Sequence, residues 1–351
     1  MILHILPYEK FTGDYIKKIN VLFDKNEHLY YVYGKSELDK IPNVEAENVV
    51  FESDMHSIIT VRKIAVHSDK IIFHSLFFSY IYFLAFTLVP PAMYKKYFWM
   101  IWGADLYNAY WERNTTIKRR IKEVFRRELI KRIPHVGYIL GDYEFLKQHY
   151  VSNADFYLSS YTYDFFIPEE KNNHKEKQVL HIMIGNSATP ECRYIEILNK
   201  LSRIDGLKAK ISCILSYPKN ERRYTNEVID VGNRLFGDRF HAITEYCAFK
   251  EYMEFLNDID VAIFNHNRQQ ALGNIAELLY LGKKVFINSD NACKGYFEDI
   301  GTTVFSTDEI SLASLTERLD EASSKANRMK IERFFSDKSF ADRWRKIFES
   351  T

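Results

Sequence analysis

The sequence predicts an α/β protein of two Rossmann-like domains, each with a mainly parallel sheet. Three observations lead there. Short apolar runs without alternation, as strands covered on both faces require, recur between stretches of helical spacing. The 351 residues, 46% hydrophobic and 15% aromatic, suffice for two cores. A polar, charge-rich stretch at 164–178, DFFIPEEKNNHKEKQ, separates two apolar patterns as an interdomain linker does. The expected boundaries are therefore 1–163 and 179–335 for the domains, with a terminal helix over 336–351.

The bulk properties narrow the class. A net charge of +1 supplies no global field for nucleic acid. Cys192, Cys213, Cys247 and Cys293 form no CxxC pair, which argues against a disulfide framework and a zinc site and fits a reducing cytoplasm. The opening MILHILPYEKF lacks a basic region and is too short for a signal peptide, so 2–6 reads as a first strand.

A loop at 7–13 and a helix carrying Tyr15, Ile19, Leu22 and Phe23 follow, then strands at 29–33 and 48–51. Gly34-Lys35-Ser36 is not a P-loop, because Leu29 stands where that motif needs its first glycine. The most apolar run, 71–89, contains His74 and Ser75 and stops at Pro90-Pro91. It divides into a strand at 70–73, a turn, and a buried helix of about 14 residues, short of the roughly 20 that span a bilayer. His74 thus falls at a strand end, where ligand-facing groups collect in open α/β sheets, although a lone histidine there is more often a hydrogen-bonded structural residue than a base.

The next strand, 97–102, delivers WGADLY. Its Asp105 suits either a general base or a helix cap. Residues 115–132 form an amphipathic helix with Ile117, Ile121, Val124, Phe125, Leu129 and Ile130 on one side. The other side carries Arg119, Arg120, Arg126 and Arg127 among eight cations. A basic face beside an apolar stripe suits an anionic membrane or acceptor, or a solvated outer face. The lack of an aromatic stacking module counts against RNA. Strands at 136–140 and 156–158 and a helix at 142–149 complete this half.

In the second half, 179–184 is a strand that ends in Gly185, Asn186 and Ser187, with Thr189 and Pro190 opening a helix. That turn is a candidate phosphate site, although no GxGxxG occurs, which counts against a nicotinamide or flavin enzyme. A strand at 210–215 and a helix at 221–236 follow. Asp258 and Asp260 precede their strand, unlike a metal-binding DxD, and read as a turn. The clearest unit is 258–288: a strand at 261–264, a polar loop at 265–273, a helix at 274–281 ended by Gly282, and a strand at 284–287. Its loop places Asn265, His266, Asn267, Arg268, Gln269 and Gln270 at the ligand-facing edge, with Gly273 or Asn274 as the cap of a helix whose N–H groups suit a phosphate; a solvated polar loop with an ordinary cap is the alternative. Phe340, Trp344, Ile347 and Phe348 give 339–349 the stripe of a last helix.

The stretches FWMIWGADLY (98–107), IGNS (184–187) and NRQQALGN (267–274), in this order and spacing, resemble the bacterial 4-acetamido-4,6-dideoxygalactosyltransferase family. The resemblance implies a GT-B fold, two domains facing across a cleft, and a glycosyltransferase that needs no metal or other cofactor. It implies transfer of N-acetylfucosamine from a dTDP-sugar to a polyprenyl-diphosphate-linked saccharide in making enterobacterial common antigen. Gly185, Asn186, Ser187, Arg268, Gln269, Gln270, Gly273 and Asn274 would then hold the diphosphate, and Tyr217, Tyr246 and Glu277 the nucleoside. Asp105, or His74 in second place, would be the base if the reaction inverts; if it retains configuration, that role lapses for both. The basic helix would face an anionic membrane, the protein sitting peripherally on the cytoplasmic face of the inner membrane. A GT-B-like sugar-nucleotide epimerase and a non-catalytic sugar-nucleotide-binding protein are the alternatives.

Overall fold

The computed structural model describes residues 1–9, 11–34, 46–52, 58–111, 116–163, 165–167, 179–217, 221–245 and 247–350. Most of the expected linker, 164–178, lies outside them. The chain divides into two units, Met1–Thr162 with Phe335–Thr351, and Tyr163–Phe334.

The first unit is built on seven parallel strands: β1 (Ile2–Pro7), β2 (His28–Tyr33), β3 (Val49–Glu52), β4 (Lys70–His74), β5 (Tyr97–Met100), β6 (His135–Tyr138) and β7 (Asp155–Leu158). Their order is β3-β2-β1-β4-β5-β6-β7. Alternate residues of β1 serve opposite faces: Leu3 and Ile5 join Phe73, Phe83 and Trp99 in one core. Leu6, on the other face, joins Tyr15, Tyr30, Ile72 and Trp344. The helix Asp337–Glu349 closes that second face with Phe340, Trp344 and Ile347. Lys70 Nζ donates to Ile347 O and Ser350 Oγ, both at 2.6 Å, so a cation meets the carbonyl end of the helix. Among the described residues no helix is long and apolar enough to cross a membrane. The apolar run at 71–89 gives a helix of only Tyr80–Thr87, eight residues, rather than about 14. Ser75 adopts φ +80°, and the amide of Leu76 is drawn to Asp105 Oδ2 at 2.9 Å, so the chain leaves β4 as a loop.

The second unit repeats the plan with six parallel strands: β8 (Leu180–Ile184), β9 (Ala209–Ile214), β10 (Phe240–Ile243), β11 (Val261–Phe264), β12 (Lys284–Ile287) and β13 (Phe305–Ser306). The order is β10-β9-β8-β11-β12-β13. The unbroken apolar runs of β11 and β12 are wholly buried, as strands with helices on both faces must be. Asp258 and Asp260 bond the ring and amide of His181 at 3.0 and 2.8 Å, at the amino ends of β8 and β11, away from the ligand-facing edge.

Candidate active site

In the second unit the strand order reverses between β8 and β11, so the loops leaving these two strands border the crevice where open α/β sheets take ligands. Gly185 ends β8 with φ +67°, and a Cβ there would stand 2.3 Å from Tyr194 Oη, so only glycine fits. Ser187 Oγ lies 3.3 Å from Cys192 Sγ, which accepts from Gln270 Nε2 at 3.3 Å. Asn186 Oδ1 touches the same sulfur. The two expected phosphate loops are therefore neighbours. Tyr217 joins them through its carbonyl, which accepts from Ala188 N at 2.6 Å, while its side chain is exposed. Tyr246 lies outside the described residues.

The helix after β11 begins earlier than its sequence indicates. It spans Leu272–Tyr280, with Ala271 at the N-cap in a left-handed conformation and no side-chain cap. Gly273 and Asn274 thus sit in the first turn instead of capping it. Gly273 packs against Tyr163, whose ring a Cβ would meet at 2.8 Å. Glu277, expected at the nucleoside, is fully buried and accepts from the amide of Phe166 at 3.2 Å. Burial pushes its carboxyl up to about 7.

Along the loop itself, buried polar atoms stand without a hydrogen-bond partner among the described residues: Asn265 Nδ2, His266 Nε2, Arg268 Nε and Gln269 Oε1. Asn265 is oriented by Asn288 Nδ2, which donates to its Oδ1 at 2.9 Å. Asn291 Nδ2 reaches His266 Nδ1 at 2.6 Å, which leaves Nε2 to carry the proton. Burial, then the charge of Arg268, hold the His266 imidazole down to about 3, so it is neutral. Leaving a buried donor or acceptor unmade costs about 1–3 kcal/mol each. Three donors and one acceptor on one loop are what an anionic ligand with hydroxyl groups would satisfy.

In the first unit the reversal falls between β1 and β4. His74, the last residue of β4, is fully buried, bonded through Nε2 to His4 Nδ1 at 3.0 Å and through Nδ1 to Tyr161 Oη at 2.6 Å. Asp105, the first candidate base, is 5% exposed. Its Oδ2 accepts from Leu76 N at 2.9 Å and Trp99 Nε1 at 2.8 Å, and its Oδ1 from Trp102 N at 2.9 Å. Burial raises its pKa while these bonds and Arg126 oppose the rise. The geometry gives Asp105 an anchoring role: it ties the loop after β4 to the turn after β5. Arg126 departs from the outward basic face expected of it. It is 3% exposed, donates to Asp105 O at 2.9 Å and Tyr150 Oη at 2.5 Å, and pairs with Glu123 at 2.7 Å. Arg119 and Arg120 face outward, and Arg127, also exposed, pairs with Glu123 at 2.7 Å.

Residues 10–351 match the family described as 4-alpha-L-fucosyltransferase, glycosyl transferase group 56. The chain belongs to this family. It is a glycosyltransferase of group 56, and its two parallel-sheet units are a GT-B fold. Similar solved structures agree on that fold. A glycosyltransferase from Rickettsia africae is 14% identical, covering 99% of this chain and 97% of its own, with a TM-score of 0.64. Anabaena Alr3699/HepE, solved with UDP and glucose, is 11% identical over 100% of both chains, TM-score 0.65. WaaG, a glycosyltransferase of lipopolysaccharide biosynthesis, is 14% identical over 100% of both, TM-score 0.61.

Sequence reasoning passed over several polar residues of this group 56 chain. The sequence sets Asn265 and His266 at the ligand-facing edge without a role of their own, although a histidine two residues past an all-apolar strand is a signal close to the one that singles out His74. His4 lies inside an apolar run, His28 opens one and Tyr161 follows two serines, and no spacing rule joins them, since their meeting depends on strand order.

Proposed function

We propose that this glycosyltransferase moves a 4-acetamido-dideoxyhexose from a dTDP-sugar to a polyprenyl-diphosphate-linked saccharide in bacterial surface polysaccharide synthesis. The observation that carries the donor half is the set of unpartnered buried atoms on Asn265, His266, Arg268 and Gln269 beside the Gly185–Ser187 turn. Donors fixed in advance stabilise the charge that grows on a leaving diphosphate, which usually contributes more to such catalysis than any other effect. Arg268 supplies the cation, so the leaving group is neutralised without a metal. The acceptor half draws support from the surface of the first unit. Ile117, Ile121 and Val124 of the helix Ile117–Arg132 are exposed, Ile117 by 76%, beside exposed Lys118, Arg119 and Arg120. Tyr80, Ile81 and Leu88 are exposed on and just after the neighbouring helix Tyr80–Thr87. Apolar groups among cations suit the inner leaflet, where a polyprenyl-linked acceptor resides, so the protein works as a peripheral protein on the cytoplasmic face.

Calorimetric titration with dTDP, UDP and GDP in EDTA tests the donor. Preference for dTDP without metal is the expected result. Binding of UDP alone would remove the dideoxyhexose donor, and binding of none would remove the nucleotide site.

A further inference from the structure

Across the sheet of the first unit runs a row of buried side chains joined nitrogen to nitrogen. His28 opens β2, His4 is the third residue of β1, and His74 ends β4; these three strands are adjacent. Their register pairs Ile2 with both His28 and Lys70, so the row climbs from the amino edge of the sheet to its carboxyl edge. His28 Nδ1 lies 3.0 Å from His4 Nε2, His4 Nδ1 lies 3.0 Å from His74 Nε2, and His74 Nδ1 lies 2.6 Å from Tyr161 Oη. Trp102 Nε1 donates to the same phenol oxygen at 2.7 Å. His4 and His74 have no exposure, whereas His28 keeps 3%.

Burial holds His28 down to about 4, His74 to about 3 and His4 well below its ordinary value, so all three are neutral near pH 7. Tyr15 and Tyr30 also face the row and, like Tyr161 within it, are raised by burial; Tyr138 and Asp105 add to the rise of Tyr161. The charged amino terminus and Asp24 act on His28 alone. A neutral imidazole has one donor and one acceptor. The row therefore has two hydrogen-bonding senses. In one, Tyr161 O–H donates to His74 Nδ1, His74 Nε2–H to His4 and His4 Nε2–H to His28, leaving His28 Nε2–H outermost. In the other, every bond points the opposite way and the Tyr161 O–H is free. Tyr15 Oη lies 3.3 Å from His4 Nδ1, and in the second sense it shares the Nδ1–H with His74 Nε2. Passing from the first to the second carries one proton across the sheet.

We propose that this row is the proton path of the transfer reaction, with Tyr161 taking the proton of the acceptor hydroxyl and His28 releasing one to solvent. The inference rests on the transferase reading above and takes the transfer to invert the anomeric carbon. As the acceptor oxygen bonds the anomeric carbon, its proton passes to Tyr161 Oη. Tyr161 gives its own proton to His74 Nδ1, His74 Nε2 gives one to His4, His4 Nε2 to His28 Nδ1, and His28 Nε2 gives one to water. The bond from the anomeric carbon to the diphosphate oxygen breaks, and its electron pair leaves with the nucleoside diphosphate. The path occupies the position that the engaged carboxylate of Asp105 leaves unfilled, at the carboxyl edge beside the reversal of strand order. His4, His28 and His74 are positioning residues that act through Tyr161.

The test is a proton inventory: single-turnover rates of the full chain in mixtures of H2O and D2O, with dTDP-N-acetylfucosamine and a polyprenyl-diphosphate-linked disaccharide. Several protons moving together give a bowed dependence on deuterium fraction. A linear dependence would overturn the path. His4→Gln keeps hydrogen bonding but cannot pass a proton from one side to the other. It should lower the single-turnover rate roughly 100-fold, leave dTDP affinity unchanged and make the inventory linear. A folded His4→Gln chain with wild-type rate and inventory overturns the path; if it fails to fold, His28→Asn at the outer end carries the same expectation. No transfer by the wild-type chain would overturn the transferase reading, and the path with it, which a linear inventory would not do.

Discussion

Arg268 and Asp105 are both charged residues just past a strand end, yet their surroundings give them opposite tasks. The Arg268 guanidinium donates through Nη1 to the carbonyl of Gln269 at 3.3 Å, and its buried Nε has no partner among the described residues. Arg268→Ala should therefore weaken dTDP binding roughly 10- to 100-fold, the range of a charge-assisted hydrogen bond, with the melting temperature little changed. Calorimetry decides, and unchanged affinity would take Arg268 out of the donor site. Asp105 already holds three N–H donors, so an amide in its place must point an N–H at one of them. Asp105→Asn should cost about 1–3 kcal/mol of stability and leave dTDP affinity intact, read by urea unfolding. Full stability with a large loss of turnover would restore the carboxylate as base. The strand-end position of both was legible in the sequence. Their partners were not, because Leu76, Trp99 and Trp102 reach Asp105 from two different strand exits.

Elements show the same division between pattern and partner. The β11, helix and β12 crossover was readable from three residue periods in 31 residues, but its helix starts at Leu272 because the chain turns through Ala271 rather than through a glycine. The basic helix was readable as amphipathic, yet periodicity names a stripe without naming what covers it. Leu129 and Ile130 are buried in the core, whereas Ile117, Ile121 and Val124, at spacings of four and three, are exposed. Arg126 turns inward because Tyr150, Glu123 and Asp105 O converge on it. Two sets of substitutions separate the contributions to membrane contact. Ile117, Ile121 and Val124 changed to serine should lose binding to anionic vesicles at every ionic strength, each side chain contributing about 1.5–3 kcal/mol when fully buried in lipid. Arg119 and Arg120 changed to glutamine should weaken binding in low salt and reduce its salt dependence. Sedimentation with phosphatidylglycerol vesicles measures both, and undiminished binding by the serine variant would return this surface to solvent.

At the scale of the whole chain, the return of the helix Asp337–Glu349 to the first unit was not legible, since its stripe of Phe340, Trp344 and Ile347 would suit either core. That return has a practical consequence. All four tryptophans, Trp99, Trp102, Trp111 and Trp344, belong to the first unit, so tryptophan fluorescence follows its unfolding alone. The same unit holds the neutral His4, His28 and His74. The values of about 4 for His28 and about 3 for His74 lie below the unfolded value near 6.5. Between these limits the unfolded chain binds protons that the folded unit refuses. The stability of the first unit is therefore full above pH 6.5 and is lost as pH falls toward 4, each histidine adding up to about 1.4 kcal/mol per pH unit. Glu277 in the second unit acts in the reverse sense: its folded value of about 7 exceeds the ordinary 4.5, so its contribution is present below 4.5 and lost as pH rises through 7. The urea midpoint read by tryptophan fluorescence should fall steadily from pH 6.5 to 4.5, and His28→Asn should make that fall shallower. A midpoint constant over this range would mean that the histidines already carry protons when folded, and a row of charged imidazoles could not pass a proton by reversing its hydrogen bonds.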